Sequence, residues 1–185
     1  MSSAHQLRTA AALLRDGGVI AHPTEGVYGL ACDPFDALAV ERILTLKGRA
    51  LDAGFILLAD SLTTLQPLCA PLPGERWEDI TASWPGPITW IVPAARGVPP
   101  WITGGRDTLA VRVTAFAPAA ALCRQAGGLL VSTSANPSGK PPARSALRAR
   151  VYFGNRLDGV LGGPTGGLAR PTPIRDALSG QWLRP

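Results

Sequence analysis

The stretch Ser132-Thr133-Ser134-Ala135-Asn136, with Ser138 and Lys140 just beyond, follows three apolar residues, Leu129–Val131. Hydroxyls and an amide crowded at the end of an apolar strand can bind a nucleotide or an amino acid without adding charge. In a strand, Ser132 and Ser134 share one face and Thr133 takes the other. The plainer alternative is a surface loop whose polar groups cap a turn. A second candidate is Arg112 in Asp107–Val113 (DTLAVRV), an arginine in an otherwise apolar strand. Strand alternation sets Leu109, Val111 and Val113 on one face and Thr108, Ala110, Arg112 and Thr114 on the other. A buried guanidinium needs an anionic partner. Asp107 or Asp176 could serve, and so could a ligand carboxylate or phosphate, which arginine grips in bidentate fashion.

Three further clusters sit where strands or helices end. In HPTEGVYGL, residues 22–30, Pro23 closes a strand, Thr24 and Glu25 stand in the connection, and Gly26 and Gly29 allow close backbone approach. This segment also reads as an ordinary strand-to-helix link. Lys47 and Arg49 in LKGR flank a glycine at a helix C-terminus. They suit a polyphosphate or simply complement the helix dipole. SWPGPIT, residues 83–89, reads as a rigid structural turn. A phosphate-binding P-loop, a G-x-G-x-x-G fingerprint and a G-x-S-x-G elbow are all missing from the sequence. Two histidines, His5 and His22, are too few for a histidine-rich metal site.

These clusters need elements to position them. AHQLRTAAALLR is expected as a helix stopped by Gly17-Gly18, then VIAHP as a strand and DALAVERILTLK as a helix closed by Gly48. FILLA reads as a strand buried on both faces, and SLTTLQPL as a short helix capped by Ser61. GPITWIVPA, DTLAVRVT and LLVSTS read as strands, and APAAALCRQA and ARSALRARVYF as helices. LDGVLG and PIRDAL are expected as short strands. The pattern predicts one α/β domain, residues 1–185, with a mixed sheet flanked by helices rather than a clean doubly wound fold.

The 185 residues carry a net charge of +5, which favours anionic partners. Lys140, Arg144, Arg148, Arg150 and Arg156 cluster within 17 residues, and Arg144 and Arg148 share a face if that segment is helical. No apolar run approaches the roughly 18 residues of a membrane span, and Met1–Arg15 does not read as a secretory signal. Three cysteines without metal-ligand spacing fit a reducing cytoplasm.

Taken in order, HPTEGVYGL, LKGR, WPGPIT, LAVRV, STSANPSGKPP and PIRDALSGQWLRP resemble the YrdC-like threonylcarbamoyl-AMP synthases, in the short TsaC-type bacterial form. The resemblance runs from about residue 6 to the end. It implies a twisted sheet around a large basic cavity and the conversion of L-threonine, bicarbonate and ATP to threonylcarbamoyl-AMP and pyrophosphate. Partner proteins of a threonylcarbamoyl-transferase complex would then modify tRNA. By the same resemblance, Thr24, Arg112, Ser132 and Thr172 surround threonine. Lys47, Arg49, Thr108, Ser134, Asn136 and Arg184 face ATP, with Lys47, Arg49 and Arg112 catalytic. Mg2+ would arrive with ATP and have no protein cage. The chain departs from the family pattern at Ala50, usually Pro, and at Ala53, usually Lys or another polar residue, which implies a looser nucleotide loop. A non-catalytic module binding tRNA or double-stranded RNA is the rival reading. The carbamoyl-transfer module of hydrogenase maturation belongs to larger chains with paired cysteines.

Overall fold

The computed structural model describes residues 3–50, 52 and 54–185, so the departure at Ala53 lies outside the described residues. Among them, strands β1 (Ile20–Pro23), β2 (Tyr28–Cys32), β3 (Ile56–Ala59), β4 (Thr89–Pro93), β5 (Thr108–Val113), β6 (Leu129–Ser134), β7 (Gly159–Val160), β8 (Ile174–Asp176) and β9 (Trp182–Arg184) join one sheet, ordered β7-β1-β2-β6-β3-β5-β4-β8-β9. The sheet is mixed: β1/β7, β3/β5 and β4/β8 are parallel, and the other neighbours antiparallel.

Two cores lie on its two faces. Leu57 and Ala59 of β3, Leu109, Val111 and Val113 of β5, and Val131 of β6 face the larger. Helices α2 (Ala37–Lys47), α3 (Leu62–Leu65), α4 (Gly74–Ala82), α5 (Pro100–Thr103) and α7 (Ala146–Phe153) contribute Ile43, Leu65, Ile80, Ile102 and Phe153 to it. On the opposite face Leu58 and Leu130 pack beneath α1 (Ala4–Arg15) and α6 (Ala117–Ala126), through Leu14, Leu122 and Cys123. FILLA is therefore buried on both sides because its alternate residues feed different cores. Helices α1 and α6 cover only part of their face. The rest, around Gly29, Ser132, Ile56 and Ala110, is left open to a cavity.

Local chemistry explains the elements that position the site. Helix α2 starts at Asp36, whose carboxylate accepts from the Leu38 and Ala39 amides, and ends at Gly48 in the left-handed conformation (φ 59°). That stop fixes where Lys47 and Arg49 leave the helix.

Several expectations change. Residues 24–27 form a hairpin turn between β1 and β2, closed by Thr24 N–H to Val27 O at 3.0 Å, not a strand-to-helix link. Ser61 precedes α3 but makes no backbone cap; its hydroxyl lies 2.8 Å from that of Thr64. Arg144 stands before α7, which Ser145 caps, so Arg144 and Arg148 do not share a helix face; the Arg144 guanidinium donates to Ala169 O. Helices α4 and α5 and strand β9 were not expected. Helix α5 and strand β9 span only four and three residues, too short for a periodic pattern, and no capping side chain marks the start of α4 after Pro73.

Candidate active site

A cavity of about 370 Å3 opens on the sheet face that α1 and α6 leave uncovered. Of the ten residues singled out by sequence, eight line it: Thr24, Arg49, Thr108, Arg112, Ser132, Ser134, Thr172 and Arg184. They come from the β1–β2 turn, the exit of α2, β5, β6, the segment before β8, and β9. Ser132 is aligned with Ile56 and Ala110 across three strands, which sets its hydroxyl on the cavity face.

Arg112 is 3 % exposed and fully engaged on one side. Its Nη1 donates to the Thr89 hydroxyl (3.1 Å) and the Thr172 hydroxyl (2.6 Å), and its Nη2 to Glu25 Oε2 (3.2 Å). Thr114 donates to the other Glu25 oxygen at 2.6 Å. The anionic partner inside the protein is thus Glu25, reached from the hairpin tip, and neither Asp107 nor Asp176. Burial pulls the Arg112 guanidinium down from its usual range while Glu25 opposes the shift. An arginine starts high enough to remain charged. Arg184 stands nearby, donating twice to Thr172 O, and it too is lowered by burial and then by Arg112.

A coil strap over residues 166–172 ties this end together. Gly166 and Leu168 N–H donate to Thr24 O and Glu25 O, each at 3.0 Å. A Cβ on Gly26 would lie 2.3 Å from Arg170 O, so glycine is needed there for the strap to reach the hairpin.

At the other end Arg49 donates to the Thr133 hydroxyl (3.3 Å) and lies 5.7 Å from the Phe55 ring. Burial lowers its pKa, and the neighbouring Arg106 lowers it further.

Lys47 and Asn136 stand outside the lining. The Lys47 ammonium is buried behind the exit of β6, donating to Ser134 O and to Asn136 O (2.9 Å), and burial and Arg49 push it down to about 8. Asn136 Nδ2 donates to Pro137 O (3.0 Å) and Lys140 O (2.7 Å). Both residues therefore shape the loop that presents Ser134. His22 lies fully buried beside Gly29, Ser132 and Thr24, and neither ring nitrogen has a protein partner. Burial pushes it down to about 4 against the opposing pull of Glu25, so it is neutral near pH 7. Sequence reasoning missed Arg106, which precedes its strand in a glycine-rich loop, and the role of Glu25, which long-range pairing alone reveals.

The family described as "Telomere recombination", of Sua5, YciO and YrdC proteins, matches residues 12–185. The chain belongs to this family. It is 59% identical to the threonylcarbamoyl-AMP synthase of Halorhodospira halophila, covering 97% of this chain and 94% of that one. It is 53% identical to the enzyme of the same name from Nitrosococcus oceani, covering 97% of each. The crystal structure of P. abyssi Sua5 complexed with L-threonine superposes with a TM-score of 0.87 at 35% identity, over 92% of this chain. The chain spans 50% of the length of that longer Sua5 chain.

Proposed function

We propose that this family member is a threonylcarbamoyl-AMP synthase, joining L-threonine, bicarbonate and ATP into threonylcarbamoyl-AMP with release of pyrophosphate. One observation carries the reading: residues scattered from Thr24 to Arg184, picked from motifs, line one cavity. The curated relatives of the same length bear that enzyme's name.

The cavity's two ends suit two substrates. Thr24, Ser132 and Thr172 offer hydroxyls around the amino acid, and Arg112 with Arg184 supplies the positive field for its carboxylate. Glu25 holds Arg112 in one orientation, which lowers the reorganisation needed on binding. Arg49, Thr108 and Ser134 serve the nucleotide, and Lys47 and Asn136 serve it through the β6 exit they hold. The neutral threonine amine attacks bicarbonate with loss of water, or CO2 with loss of a proton to solvent, to give a carbamate. A carbamate oxygen then attacks the α-phosphorus, and pyrophosphate leaves carrying the leaving-group charge. The protein's part is alignment and electrostatic stabilisation of that charge.

Among the described residues, the lining offers threonine and serine hydroxyls and arginines but no carboxylate, a donor set that fits Mg2+ carried by the phosphates rather than caged by protein. Bound there, the ion would neutralise phosphate charge.

A cytoplasmic location is supported by three unpaired cysteines. No helix among the described residues is long and apolar enough to cross a membrane. Transfer of the product to tRNA would fall to partner proteins. Exposed Lys140, Arg148 and Arg150 support weak, salt-sensitive tRNA contact.

Pyrophosphate release, measured with threonine, bicarbonate or ATP omitted in turn, tests the reading. Release should require all three and need no RNA. No release at all would favour the RNA-binding alternative, and release that ignores threonine would contradict the synthase reading.

A further inference from the structure

His22 sits where the core beneath α1 and α6 gives way to the cavity. On β1 it shares a face with Ile20, which packs in that core. Across the β1–β2 pair it stands opposite Gly29, which lines the cavity. A Cβ on Gly29 would lie 3.3 Å from His22 Nε2, 3.3 Å from Ser132 Oγ and 3.4 Å from the Thr24 methyl. His22 and Ser132 therefore border the same gap, which the missing side chain of Gly29 leaves between them.

Both are short of partners. Neither His22 ring nitrogen, though buried, has a hydrogen bond. Such a group calls for a partner within reach. The Ser132 hydroxyl is held by no hydrogen bond among the described residues. The other polar groups at this end are taken: Glu25 accepts from Arg112 and Thr114, and Thr24 Oγ1 donates to Val27 O at 2.8 Å. Thr24 thus spends its hydrogen inside the protein and turns only lone pairs to the cavity. Burial holds the His22 ring neutral near pH 7, against the opposing pull of Glu25 and the Pro23 carbonyl, so one ring nitrogen can accept.

We propose that His22 is a positioning residue whose Nε2 accepts the hydrogen of the Ser132 hydroxyl, through a rotamer change of Ser132 that moves no backbone. Ser132 then matches Thr24. Both oxygens offer only lone pairs, so together they hold the amino group of the substrate amino acid and not its carboxylate. This rests on the synthase reading above and leaves the carboxylate to Arg112 and Arg184. An amine held by its N–H groups is aligned with its own lone pair free for attack.

The test uses His22→Phe, Ser132→Ala and the double variant, with melting temperatures to confirm folding. Calorimetry with threonine should show His22→Phe binding about three- to tenfold more weakly, as for loss of one hydrogen bond. The double variant should bind no more weakly than Ser132→Ala alone, because His22 acts only through that hydroxyl. KM for ATP should stay within about twofold. Affinity for 3-hydroxybutanoate, which is threonine without its amino group, should not change in His22→Phe. Nitrogen NMR of the imidazole, read against His22→Phe since the chain has only two histidines, should show a bare Nε2 that shifts in Ser132→Ala. Unchanged threonine affinity in folded His22→Phe, losses that add in the double variant, or a protonated Nε2 would each overturn the proposal. An equal loss for 3-hydroxybutanoate would overturn the assignment to the amino group. Wild-type protein that binds no threonine would overturn the synthase reading, and the imidazole NMR, which needs no substrate, would still decide the His22–Ser132 bond.

Discussion

His22 shows how a single buried residue can report on the site. Its imidazole is fully buried next to the Arg112 end of the cavity, with the Glu25 carboxylate and the Arg112 guanidinium as its charged neighbours. Its folded-state pKa of about 4 lies below the usual 6.5. A depressed histidine pKa means the unfolded chain binds the proton first. The stability this group allows is therefore fully present above about pH 6.5 and is lost as pH falls to about 4, a total of about 3 kcal/mol. His22→Phe removes the titration and leaves no unpaired ring nitrogen. We predict that urea unfolding between pH 7 and 4 falls less steeply for His22→Phe than for the wild type, with little difference at pH 7. Equal slopes would show that His22 is not held neutral. The residue scale also shows what motifs can and cannot reveal. Ser132, Ser134 and Arg112 were legible because hydroxyls and a cation in apolar strands are chemically out of place. The partner of Arg112 was not, because Glu25 lies 87 positions away and reaches it only through the fold of the hairpin.

At the scale of elements, the strap and the hairpin tip act as one unit. Gly26 has no room for a side chain, and Thr172, at the end of the strap, accepts from Arg112. Gly26→Ala should force the strap outward and cost about 1–3 kcal/mol, the usual range for overpacking. The functional effect should be selective: KM for threonine rises severalfold while KM for ATP stays nearly constant, because Arg49, Thr108 and Ser134 lie on other elements. A variant with both constants unchanged would separate the strap from the threonine end. Regular elements such as α1, α2 and β3 could be read from the sequence because the two helices carry an apolar period bounded by a cap or glycine stop and β3 is a short uninterrupted apolar run. The hairpin could not. YGLAC is buried at every position, so it lacks the alternation that marks a strand, and the two glycines before and within it resemble a loop.

Across the whole molecule, the mixed α/β architecture followed from the alternation of helices and apolar strands, whereas the strand order did not. It joins residues far apart, such as Gly29 with Ser134 and Ile56 with both Ala110 and Ser132, and local pattern carries no information about such pairs. That order is what leaves one region of the sheet uncovered and assembles the cavity there. The central claim is that this cavity builds a carbamate from threonine and bicarbonate and adenylates it. The most direct measurement is mass spectrometry of the nucleotide product after incubation with ATP, threonine and carbon-13 bicarbonate. The account predicts an adenylate that contains threonine and carries the carbon-13 label, formed together with pyrophosphate. An unlabelled threonyl adenylate, or ATP cleaved without any threonine-containing adenylate, would contradict it.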